Sequence, residues 1–257
     1  MKPIHLLLFI AIITSSTSCI KSLTDDDDEN CAAIHHVTIT ANGPVTMGND
    51  IMVSAVEVPG SAYYSWSGPN NFQDYSPSFT MESKLSNEGW YYLSVSNSAC
   101  PTKYDSVYID VKLKQGTAPC TISNNTADYS TLSDDLFTQV RRKIDPSLNL
   151  FKLEASGGAS SGDLEIFFHP YWRNREPEDG IYKTTNTPTL STSDGNYNKV
   201  FISTVKSSIY WSSNDDYDVY VSHIGNKLQV RLCNVRLGGY NGTSYNTNIS
   251  SSVTENR

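Results

Sequence analysis

Tyr64-Ser65-Trp66-Ser67-Gly68-Pro69-Asn70-Asn71-Phe72, and after it Asn87-Glu88-Gly89-Trp90-Tyr91-Tyr92-Leu93-Ser94-Val95, decide the reading of this chain. Successive side chains on a strand point to opposite faces, so Tyr91, Leu93 and Val95 share one face while Trp90 and Tyr92 share the other. Gly68-Pro69-Asn70-Asn71 supplies turn residues between two such runs. The same alternation recurs on either side. Ile51, Val53 and Ala55 line one face of a strand; Val107, Ile109, Val111 and Leu113 oppose Tyr108, Asp110 and Lys112. Trp66 sits between alternating polar residues, the setting of a core tryptophan. Of the consecutive aromatics Trp90, Tyr91 and Tyr92, at least one must face outward.

These features fit an immunoglobulin-like sandwich, with Trp66 as the central core tryptophan and Tyr91 where the corner tyrosine belongs. Leu93 then occupies the place of the second core cysteine, opposite Val53 or Ala55, so an apolar contact replaces the usual bridge. More specifically, the two quoted stretches with Asn97-Ser98-Ala99-Cys100 resemble the Ig-like or PKD-like modules of Bacteroidetes surface proteins. Those modules read Tyr-x-Trp-x-Gly-Pro-Asn-Gly-Phe, then Gly-x-Tyr-x-Val, then Asn-Gly-Cys. The resemblance covers most of residues 31 to 114 and departs at Asn71 and at Ser98-Ala99, where the family often has Gly. It implies a spacer, adhesive or recognition role without chemistry, and a fold so widely shared does not assign function by itself.

The N-terminus reads as an export signal. Lys2 precedes a nearly unbroken apolar run from Ile4 to Ile13, and Ser15, Ser16, Thr17 and Ser18 lead into Cys19. The run is shorter than the roughly 20 apolar residues a membrane span needs. Ser16-Thr17-Ser18-Cys19 resembles the bacterial lipobox, with Ser16 where Leu is usual; an ordinary signal peptide with an incidental cysteine is the alternative. In the lipoprotein family the cysteine becomes the first mature residue and carries acyl chains on its sulfur. Two or three such chains, at ~0.8 kcal/mol per buried methylene, anchor stably where one does not. Residues 1–18 are therefore expected to be a signal peptide and 19–30 a lipidated tether. Its run Asp25 to Asp28 with Glu29 must stay solvated. As a spacer it holds the domains off the membrane; it also resembles the signal that sends Bacteroidetes lipoproteins to the outer leaflet. The expected location is the outer membrane, facing the cell exterior.

Removing Cys19 leaves Cys31, Cys100, Cys120 and Cys233, an even number in an exported chain, which points to disulfides in an oxidising space. None of their spacings suits a zinc knuckle. Three pairings are open. Gln115 to Pro119 breaks the strand pattern and divides the chain into 31–114, a linker at 115–118, and 119–257; that division favours Cys31 with Cys100 and Cys120 with Cys233. In the second part Leu164, Ile166 and Phe168, and Leu228, Val230 and Leu232, alternate as strands, with Ile224-Gly225-Asn226 as a hairpin turn. The part loosely resembles β-sandwich domains of uncharacterised Bacteroidetes lipoproteins. One helix is expected, from Ser133 to Ile144: Ser133 can cap it, Asp134 and Asp135 suit its start, Arg141, Arg142 and Lys143 its end, and Pro146 follows. The expected fold is thus all-β, two tandem β-sandwich domains of which the first is immunoglobulin-like.

Composition bounds the function. The 257 residues are 38% hydrophobic and 11% aromatic, with 16 Tyr and 18% charged residues, the profile of a folded secreted protein. A net charge of -8 argues against nucleic-acid partners, whose binding rests on clustered Lys and Arg. No Gly-x-Ser-x-Gly, His-Glu-x-x-His or phosphate-loop pattern occurs, and no catalytic or metal-binding residue or cofactor is expected. His169 and Glu165 read as an incidental surface pair, His35 and His36 point to opposite faces of a strand, and Asp215, Asp216 and Asp218 read as a turn and not a calcium loop. Asp105-Ser106-Val107 resembles the Bacteroidetes O-glycosylation site; the Asn-x-Ser/Thr patterns at Asn124, Asn241 and Asn248 matter only in eukaryotic hosts. The expected roles are a lipid-anchored adhesive, scaffolding or recognition protein with an extracellular protein or glycan partner, or a glycan-binding accessory of a polysaccharide-uptake system. Glycan binding would require aromatic side chains gathered on one surface.

Overall fold

The computed structural model describes residues 37–56, 62–97, 100–157, 162–190 and 195–256. Cys19, Cys31, His35, His36, Ser98, Ala99 and the acidic run lie outside them. The chain is all-β.

The first half holds β1 (Ile39–Ala41), β2 (Val45–Thr46), β3 (Asp50–Ala55), β4 (Tyr63–Gly68), β5 (Phe72–Asp74), β6 (Ser78–Glu82), β7 (Gly89–Asn97), β8 (Cys100–Ile109) and β9 (Val111–Lys112). One sheet runs β1-β3-β6 and the facing sheet β5-β4-β7-β8. The chain crosses between them: β1 pairs antiparallel with β3, whereas β2 pairs parallel with β9, the continuation of β8. This is an immunoglobulin-like sandwich. Its core is drawn from the inward positions: Ile51, Val53 and Ala55 on β3, Trp66 on β4, Tyr91, Leu93 and Val95 on β7, and Ile109 on β8 are all buried.

Two polar groups are carried into this core, and both find partners. The Trp66 indole N–H donates to the Ser76 carbonyl at 2.9 Å while its ring meets Phe79 edge-on at 5.3 Å. The Tyr91 hydroxyl donates to the Asn87 carbonyl at 3.0 Å, back across the corner that leads into β7. Gly68 allows this packing: a Cβ there would lie 2.6 Å from the Tyr91 ring. At the turn after β4, Asn70 and Asn71 both take positive φ, 55° and 58°, a conformation that asparagine tolerates.

The second half holds β10 (Thr126–Tyr129), β11 (Asp135–Ile144), β12 (Phe151–Gly157), β13 (Leu164–Phe168), β14 (Gly180–Thr185), β15 (Lys199–Lys206), β16 (Ile209–Ser213), β17 (Asp218–Ile224), β18 (Lys227–Tyr240) and β19 (Ser244–Thr254). They form one sheet in the order β13-β12-β11-β10-β19-β18-β16-β15-β14-β17, and β13–β15 and β17–β18 pairing closes it on itself. β14 with β17, and β16 beyond them, fill the gap between β15 and β18. Closure removes the unpaired edges that invite aggregation. Trp172, Trp211, Tyr182 and Phe168 are buried in its core. Gly225, at φ 62°, turns β17 into β18.

The segment expected to be helical is the strand β11. A β-bulge lies between Phe137 and Gln139. The extra residue restores the phase, so Phe137 and Val140, three apart, both turn inward, while Leu136 and Ile144 are exposed. The charges that resembled caps have other partners. Asp134 accepts from the Tyr129 amide at 3.0 Å, Asp135 pairs with Lys206 at 2.9 Å, and Arg142 pairs with Glu255 at 2.6 Å.

Among the described residues every strand ladder joins partners within 39–112 or within 126–254. The stretch between them is nonetheless held down. The Ile181 amide donates to the Lys114 carbonyl at 2.8 Å, and the Gln115 side-chain amide donates to the Asp179 carbonyl at 2.8 Å. Gly180 packs so closely on Leu113 that a Cβ would stand 2.6 Å from its Cβ. Buried residues of both halves form one continuous apolar cluster.

Candidate functional site

The outward face of the sheet β5-β4-β7-β8 carries the most distinctive surface chemistry. Inward positions on these strands are taken by the core, so the alternate residues project to solvent: Tyr63, Ser65 and Ser67 on β4, Trp90, Tyr92, Ser94 and Ser96 on β7, and Tyr104, Ser106 and Tyr108 on β8. Tyr63, Tyr75, Trp90, Tyr92, Tyr104 and Tyr108 are between 47% and 76% exposed. Single exposed aromatics are ordinary; a shared face is not.

Strand register sets their spacing. Trp90 stands opposite Tyr108, Tyr92 opposite Ser106, Ser94 opposite Tyr104, and Ser96 opposite Tyr63. Residues two apart on a strand lie ~6.8 Å apart, so the face extends roughly 20 Å from Trp90 to the row of Tyr63. Trp90 and Tyr108 meet edge-to-face at 5.5 Å, and the Tyr108 hydroxyl donates to Glu88 at 3.0 Å. Burial and Glu88 raise the Tyr108 hydroxyl above its ordinary value. No Asp, Glu, Lys or Arg stands at an outward position of β4, β7 or β8. Rings separated by serine hydroxyls offer apolar stacking surface and hydrogen-bond partners together, with Glu88 and the Asp110–Lys112 pair bordering the Tyr108 end.

The residues singled out in the sequence have varied places. Trp66 and Tyr91 are buried beneath this face and shape it from within. Burial pushes the Tyr91 hydroxyl up to about 12. Cys120 and Cys233 form a disulfide, Cα to Cα 5.7 Å, which ties the start of the second half to β18. Cys100 is disulfide-bonded at the start of β8; Cys31, its expected partner, lies outside the described residues. Asp105 uses one carboxylate oxygen to accept from the Ile39 amide at 3.2 Å, while Ser106 is exposed among the aromatics. Asp215 and Asp216 form the turn before β17, where Asp215 accepts from the Asn186 amide at 2.8 Å.

His169 corrects the expectation of a surface pair. It is buried at the start of a short 3-10 turn, Pro170–Trp172, where its Nδ1 accepts from the Tyr171 amide at 3.1 Å and its ring stacks on Tyr197. Glu165 instead accepts from Lys152 at 2.5 Å. A second buried pair, Lys206 with Asp135, sits 4.3 Å from the Tyr129 ring. Burial, with Asp135 beside it, drives the Tyr129 hydroxyl well above the ordinary range. Both lysine sites are enclosed by strands, as structural ion pairs are.

No protein-family model and no curated protein matches this chain. Among solved structures, murine CEACAM1b is similar at 12% identity and TM-score 0.26, over 86% of this chain and 96% of that one. A chain from a structure of mouse coronavirus receptor-binding domain complexed with its murine receptor has 11% identity and TM-score 0.26, over 86% of this chain and 96% of that one. A structure described as a carbohydrate-binding module of the β-sandwich superfamily has 9% identity and TM-score 0.26, covering 86% and 97%.

The sequence reading missed Tyr63, Tyr75 and Tyr104 as surface candidates. The signal was present, since Trp90-x-Tyr92 and Tyr104-x-Ser106-x-Tyr108 repeat every second residue. What it lacked was the strand order that sets β4, β7 and β8 side by side.

Proposed function

We propose that this protein is a non-catalytic surface lipoprotein, anchored in the bacterial outer membrane through acyl chains on Cys19, whose immunoglobulin-like sandwich binds glycan on the outward face of β4, β7 and β8. The observation that carries the reading is the gathering of five exposed aromatics, Tyr63, Trp90, Tyr92, Tyr104 and Tyr108, on one serine-rich face. Aromatic faces stack on the apolar faces of sugar rings, and the adjacent hydroxyls meet sugar hydroxyls. Between adhesion or scaffolding and glycan recognition, this arrangement favours recognition of an uncharged polysaccharide chain. The acidic tether, Asp25 to Glu29, is the spacer that lifts the face from the membrane.

The test is a neutral-glycan array probed with the purified soluble chain, followed by Trp90→Ala and Tyr92→Ala. Each ring is expected to contribute about a tenfold share of affinity, equivalent to ~1.4 kcal/mol. On cells, Cys19→Ala should release binding-competent protein from the membrane fraction. Binding that ignores both ring deletions, or no binding to any neutral glycan, would sink the glycan reading; retention of Cys19→Ala in the membrane would sink the anchor.

A further inference from the structure

A basic hollow lies on the second half, in a chain of net charge -8. It has a volume of about 500 Å³ and is lined by Arg142, Lys143, Phe151, Arg173, Arg175 and Glu176, among others. Glu176 is the one acid among its described lining residues, and its charge is already met. Its Oε1 accepts from Arg142 Nη1 at 2.7 Å and lies 3.0 Å from His223 Nε2. Arg142 is further tied to Glu255, and Lys143 to Glu154.

Arg173 and Arg175 remain. Among the described residues the Arg173 guanidinium has no hydrogen bond or ion pair. Arg175 lies over the Tyr171 ring, 4.7 Å from its centroid, and donates to the Tyr171 hydroxyl at 2.6 Å. Tyr171 is itself stacked on Tyr197 at 4.7 Å, and Tyr197 on the buried His169 at 4.8 Å. A column of rings thus holds one guanidinium in place without neutralising it. Arg173 follows the same short turn, two residues away, so both forks are presented from one anchored segment.

We propose that this hollow binds an acidic saccharide, with Arg173 and Arg175 gripping the carboxylate of a uronic-acid unit and Phe151 and Ile144 bounding it on the apolar side. Planar guanidinium forks match a carboxylate through two parallel hydrogen bonds. Two spare cations in a strongly acidic chain suit one carboxylate per repeat, whereas a nucleic acid, with a phosphate at every step, would be repelled. The site uses no residue of the aromatic face, so the two readings fail separately.

The experiment is calorimetric titration of the full mature chain with an oligogalacturonate and with its carboxyl-reduced counterpart, at low and high salt. The acidic oligomer should bind, and more weakly at high salt. Arg173→Gln with Arg175→Gln should cut its affinity at least about tenfold. Arg173→Lys, which keeps the charge and loses the fork, should give an intermediate loss. Trp90→Ala should leave this binding unchanged. Both arginines are exposed, and an unaltered melting temperature verifies that the variants fold. Equal binding of the reduced oligomer, indifference to the arginine pair, or preference for a glutamate-rich peptide through the same arginines would each overturn the proposal.

Discussion

Tyr91 joins core and surface at the scale of one residue. Its ring packs on Gly68 and Phe72 beneath the aromatic face, and its hydroxyl closes the corner onto Asn87. Tyr91→Phe removes one buried hydrogen bond and leaves the Asn87 carbonyl short of a donor, a loss of ~1 kcal/mol. In a domain of this size that lowers the melting temperature of the first sandwich by roughly 4 to 8 °C. The hydroxyl also sets an alkaline limit. Its folded value of about 12 lies above the ordinary 10.0, so the stability it contributes is complete below the lower figure and is lost as pH rises towards the higher. Urea melts across this range should show that loss in the native chain and not in Tyr91→Phe. Parallel alkaline slopes would contradict it.

At the scale of elements, the first sandwich was the legible part. Its strands carry a strict period of two, and Trp66, Tyr91 and Leu93 declare the inner face by their spacing. The helix expected over β11 rested on cap-like charges, yet Asp134, Asp135 and Arg142 serve partners remote in sequence. Local signals cannot distinguish a cap from a cross-strand pair. The turn that joins β11 to β12 offers a measurable consequence. The Asp145 carboxylate accepts from the Leu148 amide at 2.8 Å and the Ser147 amide at 3.0 Å. The Leu148 bond first, then Ser147 and Lys152, holds its ionisation below the ordinary 3.8. The folded value is lowered, so this stabilisation is present above pH 3.8 and lost as pH falls through the folded value. Asp145→Asn should flatten the acid limb of the stability curve, measured by chemical denaturation, and lower the melting temperature by a few degrees at neutral pH. An unchanged acid limb would show that the turn contributes nothing.

For the whole molecule, the Cys120–Cys233 bridge joins residues 113 apart, and the loop it closes holds β10 to β17 of the closed sheet. The chain-entropy argument assigns a loop of this order about 4.7 kcal/mol. Cys120→Ser with Cys233→Ser should therefore lower the thermal transition of the second half strongly in differential scanning calorimetry. Peptide mapping of the non-reduced protein should find Cys120 linked to Cys233 and Cys31 linked to Cys100. A bridge from Cys31 or Cys100 to either of the others would overturn the division at Gln115 to Pro119. An unaltered transition would mean that closure of the sheet through β13 and β15 suffices.

By itself the sequence determined the all-β class, the immunoglobulin-like core around Trp66 and the side each residue of β3, β7 and β8 would face. Those properties follow from alternation along one strand, and alternation is local. Only the tertiary structure decided that Trp90, Tyr92, Tyr104, Tyr108 and Tyr63 share a face, because that depends on which strands become neighbours. The same holds for Arg173 and Arg175, left without acidic partners when Arg142, Lys143 and Glu176 were matched across the sheet. Which charge meets which is settled by long-range pairing, and no pattern along the chain records it.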